Sequence, residues 1–361
     1  MLQMEIIAFG SNGSGQLGIL TNDDTSSPKI CHVGGEEPVD GVPLRLAAGG
    51  NHTLILFSSG SIYMAGRHGG RQIQTGEHSM FLPFPRFHPS DGLGIVNPRI
   101  KFCSASWSTS IFATTDNLLY TCGVGDKGEL GQGRFATQID RPTLLPELAE
   151  TLSNGTTIVD LASGVHHTVL VLSNGEVYGW GNGRKGQLGE PADIIWHPRK
   201  IEGLGFKIVR AACGREFTYL VGDTVNGSHI VLGADRWEIK TKAPDNVPNW
   251  MDIGASWGSI FVLDKLGKIV SWGRNDHGQL APLGIPAIRQ MAVGSEHVMA
   301  LAYDGSVITW GWGEHGNCGP GIDKDGDVKP HWNDVFSFAT SHKISVKGIG
   351  AGCATSWIWM T

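Results

Sequence analysis

The sequence predicts an all-β fold, a seven-bladed β-propeller whose ring is closed by an N-terminal strand pairing into the last, C-terminal blade. Three observations predict it. A strand-like run ending in glycine occurs seven times, a turn signature of small residues occurs seven times, and the chain starts and stops out of phase with both.

The strand runs are EIIAFG (5–10), SIYMAG (61–66), LLYTCG (118–123), EVYGWG (176–181), HIVLG (229–233), KIVSWG (268–273) and SVITWG (306–311). Their closing glycines, from Gly10 to Gly311, are 56, 57, 58, 52, 40 and 38 residues apart. Self-similarity at such a period marks a repeat architecture. Several copies continue into a glycine-bracketed loop: SNGSGQLG (11–18), VGDKGELG (124–131) and NGRKGQLG (182–189), with RNDHGQLAP (274–282) close to them. WGEHGNCGP (312–320) holds the same place, and the loops after Gly66 and Gly233 are degenerate.

Before each run stands the second signature, two small residues and a glycine, then two residues, then a variable position. It reads LAAGGNHTLIL (46–56), LASGVHHTVLV (161–171) and MAVGSEHVMAL (291–301), with weaker copies elsewhere. His52, Thr109, His167, Phe217, Ser259, His297 and Thr355 fill the variable position. Between the two signatures, alternating apolar residues flank turns such as Ser173-Asn174-Gly175, where Asn-Gly suits the positive φ angles of a tight hairpin. Each unit is a small antiparallel sheet that buries its faces only against neighbours, and seven in a ring leave few free edges. Because the chain begins with a unit's last strand and stops after a unit's first signature, residues 4–10 are expected to complete the seventh blade. The expected organisation is one propeller domain over 1–361.

Composition excludes several function classes. Net charge is −6, without any run of Lys or Arg, so the electrostatic footprint of a nucleic-acid or anionic-membrane partner is missing. The N-terminus shows no signal-peptide pattern, and no apolar stretch approaches the ~20 residues of a membrane span. The six cysteines are scattered without a C-x-x-C pair, which argues against a zinc site or a disulfide framework and for reduced thiols. The expectation is a soluble, intracellular protein.

The candidate chemistry is weak. Signature histidines lie one per blade, and Thr, Phe and Ser replace them in other blades, so they read as turn residues bonding backbone rather than metal ligands. Asp323-Lys324-Asp325-Gly326-Asp327 departs from calcium-loop spacing and reads as a solvated acidic turn. No nucleophile elbow or phosphate-binding loop has its required context. No catalytic residue, metal or cofactor is expected, and the chain is expected not to be an enzyme.

Aromatic residues are the better signal. Trp180, Trp272 and Trp310 end repeat strands and belong in the core, whereas Trp107 and Trp257 occupy turns of degenerate signatures. With Arg215, Glu296 and His297 they are expected on one face of the ring, as a partner-binding cluster that also includes Trp312, Glu314 and His315. The competing reading has the two turn tryptophans plug the central channel.

The pairing of xxWG-x-N-x-x-G-Q-L-G with a small-small-Gly-x-x-His-Thr turn resembles the regulator-of-chromosome-condensation repeat over essentially the whole chain, which implies a seven-bladed propeller. A narrower set, AFGSNGSGQLG, GSEH (294–297), WGWGEHGNCGP (310–320) and GCATSWI (352–358), is similar to the family of the fungal alpha-tubulin suppressor, or killer-toxin-insensitivity protein. That resemblance implies a heterodimer with a small zinc-ribbon electron carrier of diphthamide synthesis. It further implies roles in diphthamide formation on elongation factor two and in Elongator-dependent wobble-uridine modification of tRNA, Elongator being an indirect partner. The implied location is cytoplasmic, with the nucleus as a second site. The segments 67–100 and 323–343 match no repeat signature and read as loops outside it. Two other functions fit the repeat: nucleotide exchange on a small GTPase, and a cytoskeletal or ubiquitin-pathway scaffold.

Overall fold

Each small-residue signature ends one strand, makes a turn, and opens a second strand that is buried along its length. In the computed structural model, which describes residues 4–34, 39–69, 71–73, 79–84, 98–148, 151–152, 155–336 and 345–361, this step recurs in seven antiparallel sheets. Blade 1 holds Pro43–Ala48, His52–Phe57, Ile62–His68 and Arg71–Ile73, and blade 2 holds Ile100–Ala105, Thr109–Thr114, Leu119–Val124 and Gln138–Leu144. Blade 3 holds Ile158–Ser163, His167–Leu172, Val177–Asn182 and Ile194–Lys200. Blades 4 and 5 have three strands each, Arg210–Cys213, Phe217–Val221 and His229–Gly233, then Trp250–Ala255, Ser259–Asp264 and Ile269–Gly273. Blade 6 holds Ile288–Val293, His297–Ala302, Val307–Trp312 and Asp327–Phe336.

Blade 7 joins both ends of the chain. Val346–Ala351 and Thr355–Met360 come from the C-terminus, Glu5–Gly10 and Thr25–Ile30 from the N-terminus. Glu5 pairs with Met360 and Gly10 with Thr355. The N-terminus thus supplies two strands, one more than the repeat arithmetic suggests, because the fourth strand, TSSPKI, is exposed and lacks an apolar pattern. The first strands of successive blades touch all the way round, Val346–Ala351 meeting Pro43–Ala48 to close the ring.

The repeated glycine has a steric cause. The seven closing glycines take φ between +94° and +116°. A Cβ on Gly181 would stand 2.4 Å from the His166 carbonyl oxygen, and the other six meet the equivalent carbonyl at 2.2 to 2.6 Å. Only glycine combines that φ with that approach. The strand-end tryptophans are core, as expected. Trp180, Trp272 and Trp310 donate their indole N–H to Glu129, Ile239 and Gln279 carbonyls of the preceding blade at 3.0, 2.9 and 2.9 Å. In the Ser173-Asn174-Gly175 turn Gly175 has positive φ, at +93°, and Asn174 does not, so Asn-Gly is not the mirror-image turn expected.

Two stretches read as loops gain strands. Asp327–Phe336 is the fourth strand of blade 6, paired with Val307–Trp312, although its charges hide any alternation. In the stretch 67–100, Arg71–Ile73 and Leu82–Pro83 pair with Ile62–His68. Residues 70, 74–78, 85–97 and 337–343 of these stretches lie outside the described residues. The acidic turn is not solvated throughout either. Asp323 accepts the N–H of Asp325 and Asp327, but the Asp327 carboxylate is 1% exposed and paired with His277 and Lys329.

The signature histidines bind the next blade rather than their own turn. His167 Nε2 lies 3.0 Å from Thr218 Oγ1, which donates to the Gln187 carbonyl. His297 Nε2 lies 2.9 Å from Ser356 Oγ, which donates to the Asn317 carbonyl. A hydroxyl has one proton, and here the carbonyl receives it, so the imidazole must donate and is neutral with hydrogen on Nε2. His52 reaches Ser110 at 3.1 Å, with His68 where the other blades present the loop carbonyl.

Burial holds His167 and His297 down to about 4, and burial, then neighbouring His68, pushes His52 well below its usual range. An unfolded histidine titrates near 6.5, so between that pH and about 4 the unfolded chain binds protons that the folded one refuses. Stability should therefore fall as pH falls through this window, by up to about 1.4 kcal/mol per pH unit for each histidine. Urea midpoints at pH 7.5 and 5.0 test this. The slope should flatten in His297→Gln, and an equal slope in variant and parent would refute the assignment.

Candidate functional site

The turn signatures and the loops after the third strands emerge on one face, because His297 pairs with Gly311 and Phe217 with Gly233 across their hairpins. This places Trp312 on the same face as the signature turns, its N–H donating to the Glu296 carbonyl at 2.9 Å. Successive turns are tied by backbone bonds. Gly50 donates to Trp107, Trp107 to Val165, Arg215 to Trp257, Trp257 to Ser295 and Ser295 to Gly352. Gly50, Trp107, Val165, Arg215, Trp257 and Ser295, each following the signature's Gly or Ser, are thereby tied together at the mouth of the central channel.

Trp107 stands on blade 2 and Trp257 on blade 5, yet their rings meet over that mouth, centroids 6.1 Å apart and planes tilted by 44°. Below them is a cavity of about 120 Å³ lined by signature residues of all seven blades. The two rings thus lie across the channel mouth, where both the partner-binding and the channel-plug readings expected them. They also show a surface, Trp107 being 38% exposed. The Arg215 guanidinium carbon sits 5.6 Å from the Trp257 ring centroid.

Beside this pair lies a second cluster that the sequence reading missed. Trp237, 40% exposed, is flanked by Arg236 and Arg274 at 5.3 and 5.2 Å from its ring centroid. A cavity of about 230 Å³ separates the clusters, lined by Arg215, Glu216, Arg236, Trp237, Trp257 and Arg274 among others. Trp237 and Glu238 both have left-handed backbone, φ +62° and +57°. Each such residue costs on the order of 1–3 kcal/mol, and strain of that kind concentrates at functional sites. Asp235 holds the bend by accepting the N–H of Lys240 at 2.6 Å. The signal was present in the degenerate loop after Gly233, where the Arg236-Trp237 pair stands among residues that abandon the repeat's Gly-Gln-Leu-Gly.

The remaining expected residues divide. Glu296 is 2% exposed and accepts from Arg274 Nη1 at 2.5 Å and Gln279 Nε2 at 2.9 Å. Burial pushes its carboxyl up, and Arg274 and Gln279 oppose this. Arg274 also forks onto Asp276, at 2.7 and 2.9 Å. Against the upward push of partial burial, hydrogen bonds from Arg274 and Gln279 hold Asp276 down to about 2. Glu296 thus joins the cluster through Arg274, not as a surface group. His297 is buried between blades and presents no surface. Trp312 stacks on His277, centroids 5.1 Å apart and planes at 20°. Glu314 and His315 are exposed further along that loop, His315 Nδ1 lying 3.0 Å from Asp24 at the end of the loop that joins the N-terminal strands. The structure therefore gathers Trp107, Arg215 and Trp257 at the axis and sets Trp312, the last residue of the third strand of blade 6, and Glu314 and His315, in the loop after it, on the same face.

Among the described residues no group of three or more His, Cys, Asp or Glu is disposed to hold a metal ion, and no helix is long and apolar enough to cross a membrane. What the site offers is half-exposed aromatic area framed by guanidinium groups, which suits contact with another protein surface.

Comparison with known proteins matches the RCC1-like domain over residues 5–358. An RCC1 repeat-containing protein of Schizosaccharomyces pombe is 30% identical over 307 residues, covering 81% of this chain and 83% of that protein. The secretion-regulating guanine nucleotide exchange factor of Mus musculus is 24% identical over 321 residues, 82% of this chain and 65% of that protein. The chain spans far less of the human ligases HERC5 and HERC2, 17% and 6% of their lengths. Among solved structures, Prp20p of Saccharomyces cerevisiae superposes with a TM-score of 0.75 at 20% identity, over 100% of this chain and 92% of that one. The latter likeness is one of fold.

Proposed function

Since the chain belongs to the RCC1-like domain family, whose propellers are protein-binding scaffolds, we propose that it acts without catalytic chemistry of its own, by holding a small zinc-ribbon electron carrier on the face described. Through that partner it supports diphthamide synthesis on elongation factor two and, with Elongator, wobble-uridine modification of tRNA, in the cytoplasm and nucleus. The observation that carries the binding reading is the paired Trp107–Trp257 and Trp237 clusters, with Arg215, Arg236 and Arg274 against them. Supporting the choice of partner are GSEH (294–297), WGWGEHGNCGP (310–320) and GCATSWI (352–358), which resemble the zinc-ribbon-binding family. Glu296 of the first stretch lies in the Arg274 network, and Trp312 of the second lies on the same face.

The test is direct. The purified protein mixed with the purified zinc-ribbon protein should elute as a one-to-one heterodimer, with light scattering giving the mass. Separate elution at micromolar concentrations of both would refute the choice of partner. A second reading, nucleotide exchange on a small GTPase, is favoured by two likenesses. The mouse relative is named as a guanine nucleotide exchange factor, and Prp20p is described as binding Gsp1p. Release of a fluorescent guanine nucleotide from a panel of small GTPases distinguishes the two readings. The scaffold reading expects no acceleration.

A further inference from the structure

Two arginines on the binding face stand out by what they lack. Arg274 has its charge met by Asp276 and Glu296. Arg215 and Arg236 are exposed and have no carboxylate within ion-pair distance among the described residues. Each instead lies over a tryptophan ring, Arg215 over Trp257 and Arg236 over Trp237, and both line the cavity of about 230 Å³. A guanidinium parked on an aromatic face keeps its outer N–H groups free, and its planar fork matches a carboxylate. Glu216 is the other charged group in the wall besides these and the Arg274–Glu296 pair. No lysine lines the cavity, and the whole chain is acidic, at −6.

We infer that this cavity receives an acidic segment of a protein partner, its carboxylate gripped by Arg215 and Arg236 and an adjacent aliphatic side chain packed against the exposed part of Trp237. The left-handed backbone at Trp237 and Glu238 sets the Trp237 ring in place for this contact. The inference rests on the reading of the chain as a protein-binding propeller, but not on the identity of the zinc-ribbon partner. A carboxylate is favoured over a phosphate polymer because no lysine lines the cavity and Glu216 and Glu296 stand in its wall, so it lacks the extended positive charge such a polymer neutralises.

An array of random decapeptides, probed with the purified full-length chain, tests it. Retained peptides should be enriched in Asp or Glu next to Leu, Ile, Val or Phe. The Arg215→Glu/Arg236→Glu variant should lose retention of those peptides about tenfold or more, and Arg215→Lys/Arg236→Lys should lose less, since charge remains while the fork is gone. Both side chains are exposed, and near-ultraviolet circular dichroism should confirm an unchanged fold. Retention that ignores acidic residues, or survives charge reversal, overturns the inference. So does binding of a poly-dT oligonucleotide with no peptide preference, or a self-dimer that charge reversal dissolves, which would seat a second copy there. Because the zinc-ribbon protein is absent from the array, failure of that heterodimer and failure of this site are read separately.

Discussion

A chain lacking residues 1–10 should lose cooperative folding and behave as an aggregating, partly folded species. Glu5–Gly10 is the third strand of blade 7, hydrogen-bonded on one side to Thr355–Met360 and on the other to Thr25–Ile30. Its Ile6, Ala8 and Phe9 are 6%, 0% and 0% exposed. Deletion therefore unties the chain's two ends within blade 7, bares two unpaired strand edges and detaches a fourth strand that has no apolar pattern to hold it. Phe9 belongs to a buried cluster with Met299, Leu301 and Ile358, so Phe9→Ala should cost about 3–5 kcal/mol in equilibrium denaturation. A permutant starting at residue 39, with residues 4–34 fused after Thr361 by a short linker, should keep the native fold, because Glu5 already pairs with Met360. Size-exclusion chromatography and thermal melts decide the matter. A truncated chain that stays monomeric with an unchanged midpoint would show that the strand does not lock the ring.

The architecture was legible because its determinants are local and repeated. Gly181 and its six equivalents are dictated by a carbonyl contact that any other residue would obstruct, so the glycine persists where neighbouring positions drift. Trp180 and Trp310 were readable as core for a similar reason, their indole N–H answering a carbonyl in the blade before. Fourth strands were not legible. Thr25–Ile30 and Asp327–Phe336 lie at the outer edge of their blades, where solvent removes the apolar alternation that marks a strand. The histidines were placed in the right turns but given the wrong partners, since a contact such as His297 to Ser356 joins residues 59 apart.

The site was half legible. Trp107, Arg215 and Trp257 attract notice as departures from the signature, but that blades 2 and 5 would bring the two rings within 6.1 Å follows only from the ring's geometry. Trp237 escaped because a degenerate loop offers no template against which it stands out. Glu296 illustrates the opposite error, a charged residue in a surface turn whose side chain the Arg274 pair draws inside.

Loss of the aromatic pair should weaken partner binding more than any other surface change. A tryptophan at the centre of an interface is commonly worth 2 kcal/mol or more, about thirtyfold in affinity. Trp107→Ala and Trp257→Ala should each reach roughly that, and the double variant should fall short of the product because the rings touch. Leu266→Ser is the control, 84% exposed in the hairpin at the opposite end of blade 5. The decisive measurement is isothermal titration of the zinc-ribbon protein into the parent, the Trp107→Ala/Trp257→Ala variant and Leu266→Ser. The account predicts a loss of about a hundredfold or more for the double variant and parental affinity for the control. Equal affinity in all three would contradict it.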